Sequence, residues 1–232
     1  MSVNDLVLVQ GMHDTKIALA RWNGEPGAVL RPWLGLSAVI SLGLLFAIYG
    51  VAKLTPPDPT VYLIAGYNDE ATIADYGHVL FRNSLVLALH ALACVAGFIA
   101  GSSLPLSASH RSGISRWVHE KAGPLAIGFV VCATLFSLAT QAFVIGGGTA
   151  SIAGQIGTSP GLLLIALLPH ALPELVALFL PLAAWMIASR RGEWHELLAA
   201  TVVTVGVAIP VLLAAAAVEV WVSPRLLIAL GS

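Results

Sequence analysis

Charged residues are scarce in this sequence. Only 10% of its 232 residues are charged, whereas 58% are hydrophobic, and the mean hydropathy is +0.89. Soluble domains carry about 25% charged residues, so the chain lacks the polar surface that a water-soluble globule needs. The formal net charge is −1 and there is no strongly basic stretch, which argues against a nucleic-acid partner.

Cysteine is also scarce. Cys94 and Cys132 each lie inside an apolar run, where thiols usually pack as small hydrophobic groups, so a disulfide framework is not expected. The motifs of common hydrolases are missing too: the sequence contains no His-Glu-x-x-His and no Gly-x-Ser-x-Gly. We therefore predict no catalytic residue, no metal ligand and no cofactor.

Five apolar runs are long enough to cross a membrane, because about 20 helical residues span a hydrocarbon core roughly 30 Å thick. The predicted spans are 33–54, 79–104, 122–145, 161–188 and 197–222. They predict an all-α, polytopic transmembrane bundle over residues 33–225, with an N-terminal arm (1–32) and a short C-terminal tail (226–232). A cleaved signal peptide is the competing reading of the first run, but that run is longer than the apolar core of a signal.

Basic residues predict the orientation, since cytoplasmic loops carry an excess of Lys and Arg. Eight of the eleven lie on one side of the five spans: Lys16, Arg21, Arg31, Arg111, Arg116, Lys121, Arg190 and Arg191. The other side keeps Lys53, Arg82 and Arg225. We therefore expect a multi-pass protein of a bacterial or archaeal plasma membrane, with its N-terminus cytoplasmic and its C-terminus outside.

Three segments outside the predicted spans have a distinct composition. Residues 4–20 mix apolar and polar side chains, which is typical of either a short interfacial helix or a flexible arm. The loop 55–77 opens with Thr55-Pro56-Pro57-Asp58-Pro59, which stops a helix and starts an extended segment. The glycine-rich stretch 146–160 is either a plain outer connection or a piece that re-enters the membrane.

The fourth run holds the densest set of residues that are costly in lipid. His170 and Glu174 are four apart, so they share one helical face within reach of each other. Pro169 and Pro173 each remove a backbone donor, which predicts a kinked or broken helix. An ionisable group at the bilayer centre costs about 2.5–3.5 kcal/mol on insertion scales, so this pair calls for an explanation.

Three roles for the pair remain open. In a structural role, a neutral His170 donates to the Glu174 carboxylate or to a freed carbonyl and holds the kink. In a docking or conduction role, the pair binds a partner or relays protons, helped by Asn83, His90 or Glu219. In a catalytic role, the same groups form half of a metal site, although the spacing His-x-x-x-Glu is not a zinc signature by itself.

Two further features lie on the neighbouring runs. Glu219 is near the outer end of the last run, where a carboxylate can reach the headgroups beside the interfacial Trp221. Gly97 and Gly101 form a GxxxG element in the second run. Such an element permits close packing within one bundle as readily as between two chains, so a homodimer is one predicted assembly.

The fourth and fifth runs resemble the stage II sporulation protein M family of bacterial and archaeal membrane proteins. The sequence Leu168-Pro169-His170, followed by Glu174, is similar to the family's Pro-His-Gly…Glu pattern. The end of the last run, 215–219 followed by Ser223-Pro224, resembles the family's small residues, glutamate and proline. Phe81-Arg82-Asn83-Ser84 with Gly97 and Gly101 is similar to its asparagine-containing, glycine-spaced segment.

The resemblance covers residues 79–225 and has two departures. Ala171 stands where the family usually has glycine, and Ser84 stands where a second asparagine is frequent. The positions that match the family pattern are Asn83, Gly97, Pro169, His170, Glu174, Glu219 and Pro224. The resemblance implies a non-enzymatic scaffold, because the namesake holds peptidoglycan-degrading enzymes at the septal membrane during engulfment.

The leading hypothesis is thus a membrane scaffold or assembly subunit that recruits membrane or cell-wall-associated proteins within the lipid bilayer. The absence of any loop large enough for a soluble catalytic domain favours it. A transporter or channel subunit that uses His170 and Glu174 is the second hypothesis. An intramembrane metal-dependent hydrolase is the third.

Overall fold

The computed structural model describes residues 7–103 and 113–231, and nearly all of them are helical. The elements in chain order are α1 (Val7–Gly24), α2 (Pro26–Leu54), α3 (Ile73–Phe98) with a π-helical continuation (Ile99–Ser103), α4 (Gly113–Gln155), α5 (Pro160–Arg191), a 3₁₀ turn (Trp194–Glu196), α6 (Leu197–Trp221) and α7 (Ser223–Gly231). No β-strand occurs in these two ranges, so the predicted all-α class is confirmed.

Five helical segments of the described residues are long and apolar enough to cross a membrane. They are Pro26–Leu54, Ile73–Gly101, Ile127–Gln155, Pro160–Arg191 and Trp194–Leu230. Each overlaps one of the five predicted spans. The chain is therefore a multi-pass membrane protein, and its lipid-facing surface is apolar by composition.

The chain forms two compact units, and each of the five long helices contributes to both. Unit 1 comprises residues 1–37, 86–134 and 179–207; unit 2 comprises residues 38–85, 135–178 and 208–232. Each unit has a core of its own.

The core of unit 1 is built around two tryptophans. The rings of Trp22 and Trp33 meet edge to face, with centroids 5.3 Å apart, an arrangement that aromatic pairs prefer. Small and aliphatic side chains of α5 and α6, among them Leu180, Ala184 and Ala200, complete the cluster. The large rings in α1 and α2 thus pack into the space that alanines leave on the two neighbouring helices.

The core of unit 2 joins the ends of α4, α5 and α7. Ala153, Ile156, Leu163 and Leu227 form it, and partly buried residues of the 55–72 loop pack against it. The predicted C-terminal tail therefore continues as helix α7, one face of which is buried. Apolar burial of this kind stabilises the ends of the long helices.

The 55–72 loop is anchored on α4. The backbone N–H of Asp58 donates to the hydroxyl of Ser151 (3.0 Å), and the side chain of Gln155 bonds both the N–H and the carbonyl of Tyr62. The N–H and the hydroxyl of Thr60 both donate to Asp58, which lowers the pKa of that carboxyl. As the prolines predict, α2 ends at Leu54 and the chain is extended after it.

The glycine-rich stretch 146–160 is not a loop for most of its length. Helix α4 continues through it to Gln155, so the connection to α5 is limited to residues 156–159. Close packing explains why these glycines are helical: a Cβ on Gly146 would lie 2.6 Å from Cβ of Val51, and one on Gly154 would lie 2.9 Å from Pro57. The missing side chains let other backbone segments approach α4 closely.

Helix α5, the fourth span, is not broken. It runs without interruption from Pro160 to Arg191 across Pro169 and Pro173. In an apolar surrounding every lost backbone hydrogen bond is costly, so the remaining bonds keep the helix continuous. At the N-terminus, residues 7–24 form the predicted short helix rather than a flexible arm.

Candidate functional site

Unit 2 contains a group of polar side chains on membrane-spanning helices, which we call the polar cluster. It comprises Asn83 on α3, His170 and Glu174 on α5, Glu219 on α6, and Ser223 at the start of α7. Asn83, His170 and Ser223 are buried, and the two glutamates are partly buried. The structure thus brings together four of the residues predicted from the sequence.

His170 is bonded to a residue that the sequence did not single out. Its Nδ1 lies 2.6 Å from the hydroxyl oxygen of Ser223, and the tautomer decides which of the two donates. No hydrogen bond or ion pair joins His170 to Glu174 in the described part of the chain, so their predicted mutual lock is wrong. The spacing of four places both on one face, but the fold supplies Ser223 as the nearer partner for the imidazole.

Glu174 interacts instead with side chains from other helices. Its carboxylate is close enough to that of Glu219 for repulsion, and the amide of Asn83 and the guanidinium of Arg82 attract it. Arg82 also attracts Glu219. Glu219 therefore belongs to the cluster, and the prediction that it merely reaches the headgroups does not describe its surroundings.

The hydrogen bonding within the cluster is incomplete. Among the described residues, neither Nδ2 of Asn83 nor Oε2 of Glu174 has a hydrogen-bond partner of normal geometry, although both atoms are buried. Leaving such a group unpaired costs about 1–3 kcal/mol. The two carboxyl groups of the cluster have the guanidinium of Arg82 near them, and the exposed position of Arg82 weakens its attraction. A cationic hydrogen-bond donor would pair with Oε2 of Glu174 and offset the excess of carboxyl groups, whereas Nδ2 of Asn83 needs an acceptor.

Three predicted prolines are close to the cluster residues along the chain. Pro169 and Pro173 are exposed on α5. Pro224 is buried beside Ser223, and the turn at Gly66 packs on it: a Cβ on Gly66 would lie 2.8 Å from Cγ of Pro224. Gly66 has φ = 78°, which glycine adopts readily. The 55–72 loop thus covers the start of α7, from which Ser223 reaches His170.

Another predicted residue, His90, serves the packing of unit 1. His90 is buried there, and its ring packs edge to face on Phe179 with centroids 5.3 Å apart. It was predicted to assist His170 and Glu174, but it does not belong to the unit that holds them.

The GxxxG element receives aromatic side chains of its own chain. A Cβ on Gly97 would lie 2.6 Å from Nε1 of Trp185, and one on Gly101 would overlap the ring of Trp194. The two rings are themselves 6.5 Å apart in an edge-to-face arrangement. The close approach that the element permits is therefore used within unit 1, which removes the reason for expecting a homodimer through this face.

Sequence reasoning also missed an ion pair in unit 1. The guanidinium of Arg21 on α1 donates to the carboxylate of Glu196 in the 3₁₀ turn before α6, and Glu196 is buried. Arg21 was used only as a marker of orientation. The sequence signal for this pair is Glu196, which directly precedes the apolar span 197–222. A carboxylate that is buried there requires a cationic partner.

The described residues contain no group of three or more His, Cys, Asp or Glu side chains close enough to hold a metal ion. The two cysteines are free, Cys94 buried and Cys132 exposed. Comparison of the chain with protein-family models, with curated proteins and with solved structures gives no match. The polar cluster is accordingly interpreted from its own chemistry.

Proposed function

We propose that this protein is a non-enzymatic membrane scaffold or assembly subunit of the stage II sporulation protein M type. Within the described residues, the longest segment outside helices is 55–72, and it is bound against α4. This leaves no room for a soluble catalytic domain there. The resemblance of residues 79–225 to that family points in the same direction.

The observation that carries the proposal is the incomplete hydrogen bonding of the polar cluster. Among the described residues, Nδ2 of Asn83 and Oε2 of Glu174 are buried without a hydrogen-bond partner of normal geometry, and the carboxyl groups of Glu174 and Glu219 would repel each other if both were charged. A lysine or arginine on a partner's transmembrane helix would supply positive charge and a donor to Oε2 of Glu174. The scaffold would thereby select partners by charge within the bilayer, where hydrophobic burial alone discriminates poorly.

The proposed topology has the N-terminus in the cytoplasm and the C-terminus outside a bacterial or archaeal plasma membrane. It rests on the distribution of Lys and Arg. In this orientation, the loop 55–72 and helix α7 lie on the outer face, where cell-wall-associated partners would be found.

The proposal is tested by purifying the tagged chain from native membranes and quantifying the proteins that accompany it. We expect at least one partner at near-stoichiometric yield, and its loss in Glu174→Gln and Glu219→Gln. Glu70→Gln is the matched control, because Glu70 is exposed in the 55–72 loop and lies outside the polar cluster. A chain that purifies alone, or a partner retained equally by all three variants, would contradict the proposal.

The second candidate is a transporter or channel subunit, and the interacting carboxylates of Glu174 and Glu219 favour it. Ionisable groups on spanning helices mark ion and substrate pathways in many transporters. Ion flux into liposomes that contain the parent chain, His170→Ala or Glu174→Gln tests it. Flux through the parent that falls in Glu174→Gln would support transport, whereas no flux through any of the three would exclude it.

A further inference from the structure

Two adjoining cavities in unit 1 differ in chemical character. The first has a volume of about 590 Å³ and is lined by charged side chains and by Trp22 and Trp33. The second has a volume of about 520 Å³ and is lined largely by apolar side chains. Trp22 and Val29 line both, so one molecule with a polar and an apolar part can occupy the pair.

The first cavity carries both signs of charge, with one carboxylate in excess. Arg21 pairs with Glu196, and Nη1 of Arg191 lies 3.9 Å from Oε2 of Glu193. Glu25 is the fifth charged residue of the lining, and it forms no ion pair within the described part of the chain. A guanidinium has five N–H donors, so both arginines keep donors for a ligand.

This charge pattern selects among lipid headgroups. Phosphate oxygens match the remaining donors of Arg21 and Arg191. A headgroup that carries only negative charge would meet the surplus carboxylate, whereas a primary ammonium offers three donors to it. A phosphoethanolamine group, with a phosphate and a primary ammonium, therefore fits the lining best.

The second cavity fits an acyl chain. Leu19, Leu30 and Val203 supply apolar walls, and Asn23 is the polar residue of its lining. Each methylene that is buried against such walls contributes about 0.8 kcal/mol. The apolar cavity thus shares Trp22 and Val29 with the charged one, as the tail of a phospholipid is joined to its headgroup.

Both cavities lie where apolar spans end. The first membrane-length helix begins at Pro26 and the fourth ends at Arg191, and tryptophans such as Trp22 are typical of the interface between lipid and water. A phospholipid of the surrounding leaflet would have its headgroup at this level. Such a ligand would reach the site from the bilayer and not from the aqueous phase.

We propose that unit 1 binds one amine-bearing zwitterionic phospholipid, with its phosphate on Arg21 and Arg191, its ammonium at Glu25, and an acyl chain in the cavity of Leu19, Leu30 and Val203. The proposal depends on residence in a membrane and not on the scaffold role. It gives the charged N-terminal helix and the end of α5 a common function.

The test uses the full chain, delipidated in detergent, with native mass spectrometry to count bound lipid. When lipid is added back, we expect one dioleoyl phosphatidylethanolamine to bind per chain. Its affinity should be about tenfold higher than that of phosphatidylglycerol with the same acyl chains. Glu25→Gln should lower the affinity for phosphatidylethanolamine about tenfold. Glu70→Gln, an exposed carboxylate in unit 2, should leave it unchanged.

Water-soluble phosphoethanolamine separates the two sources of this headgroup. We expect it to protect the chain from thermal unfolding far less than the phospholipid does, because it leaves the apolar cavity empty. Equal protection by both would overturn the assignment of a lipid. Equal retention of phosphatidylglycerol, or an unchanged affinity in a Glu25→Gln protein whose unfolding temperature without lipid matches the parent's, would overturn the proposal as well.

Discussion

The imidazole of His170 and the hydroxyl of Ser223 are both buried, and each is the other's hydrogen-bond partner at 2.6 Å. Ser223→Ala removes the hydroxyl and leaves the imidazole nitrogen unpaired. We expect the variant to lose about 1–3 kcal/mol of unfolding free energy. Denaturation in mixed micelles, followed by tryptophan fluorescence, measures the loss.

A double-mutant cycle separates this bond from any general effect of the substitution. In a His170→Leu background, Ser223→Ala should cost much less, because no polar ring nitrogen remains to be satisfied. Ser84→Ala, at an exposed position on α3, is the control and should change little. An equal cost in both backgrounds would show that Ser223 stabilises the fold without His170.

At the scale of single residues, the sequence identified most of the polar cluster and missed its bonding. Polar and ionisable side chains in apolar runs are conspicuous, and they include Asn83, His170, Glu174 and Glu219. Helical spacing fixes which residues share a face of α5, but it says nothing of what the other helices present to that face. For this reason the Ser223 partner of His170 and the encounter of Glu174 with Glu219 required the fold.

At the scale of the helix, the three consecutive glycines at 146–148 provide an internal comparison. A Cβ on Gly146 would lie 2.6 Å from Val51 and 3.0 Å from the carbonyl oxygen of Ile48, whereas Gly147 and Gly148 face open space. We expect Gly146→Ala to destabilise the protein by about 1–3 kcal/mol. Gly147→Ala should instead stabilise it by up to about 1 kcal/mol, because alanine favours the helix.

Thermal unfolding of the two variants in the same detergent checks this ordering. If residues 146–148 formed a loop, alanine would gain no helix propensity at either position. The two substitutions would then change the unfolding temperature alike. A more stable Gly146→Ala than Gly147→Ala would contradict the packing of α4 on α2 within unit 2.

The GxxxG element gives the second prediction at this scale. Gly97→Ala and Gly101→Ala would push methyl groups against Trp185 and Trp194, and overpacking of this kind costs about 1–3 kcal/mol. Gly77→Ala on the same helix faces open space and is the matched control. We expect a lower unfolding temperature for the first two variants, with no change in the mass of the detergent-solubilised particle.

A change in that mass would indicate that the element also holds two chains together. Its intrachain use could not be read from the sequence. The motif indicates that other groups can pack closely against the helix. The fold shows that these groups are tryptophans of α5 and of the 3₁₀ turn.

The number and placement of the spans were easier to predict than the ends of the helices. The five spans follow from hydropathy and bilayer thickness, which act on the composition of a segment. The end of α4 depends on contacts of Gly146 and Gly154 with other segments of unit 2, which override the weak helix propensity of glycine. The continuity of α5 similarly reflects the cost of open hydrogen bonds in lipid, which outweighs the effect of two prolines.

At the scale of the whole molecule, the division into two units agrees with the distribution of charge along the sequence. The eight basic residues assigned to the cytoplasmic side all fall within the ranges of unit 1, and Lys53, Arg82 and Arg225 fall within those of unit 2. The hydropathy of the spans and the positions of the basic residues are independent properties of the sequence. Both favour the proposed odd number of crossings.

This topology predicts that the two termini lie on opposite faces of the membrane. Epitope tags at each end, exposed to protease in right-side-out vesicles, test it: the N-terminal tag should be protected and the C-terminal tag digested. Detergent should expose both, which controls for tags that are buried in the protein. Two tags digested together in intact vesicles would mean an even number of crossings, which would contradict the proposed topology.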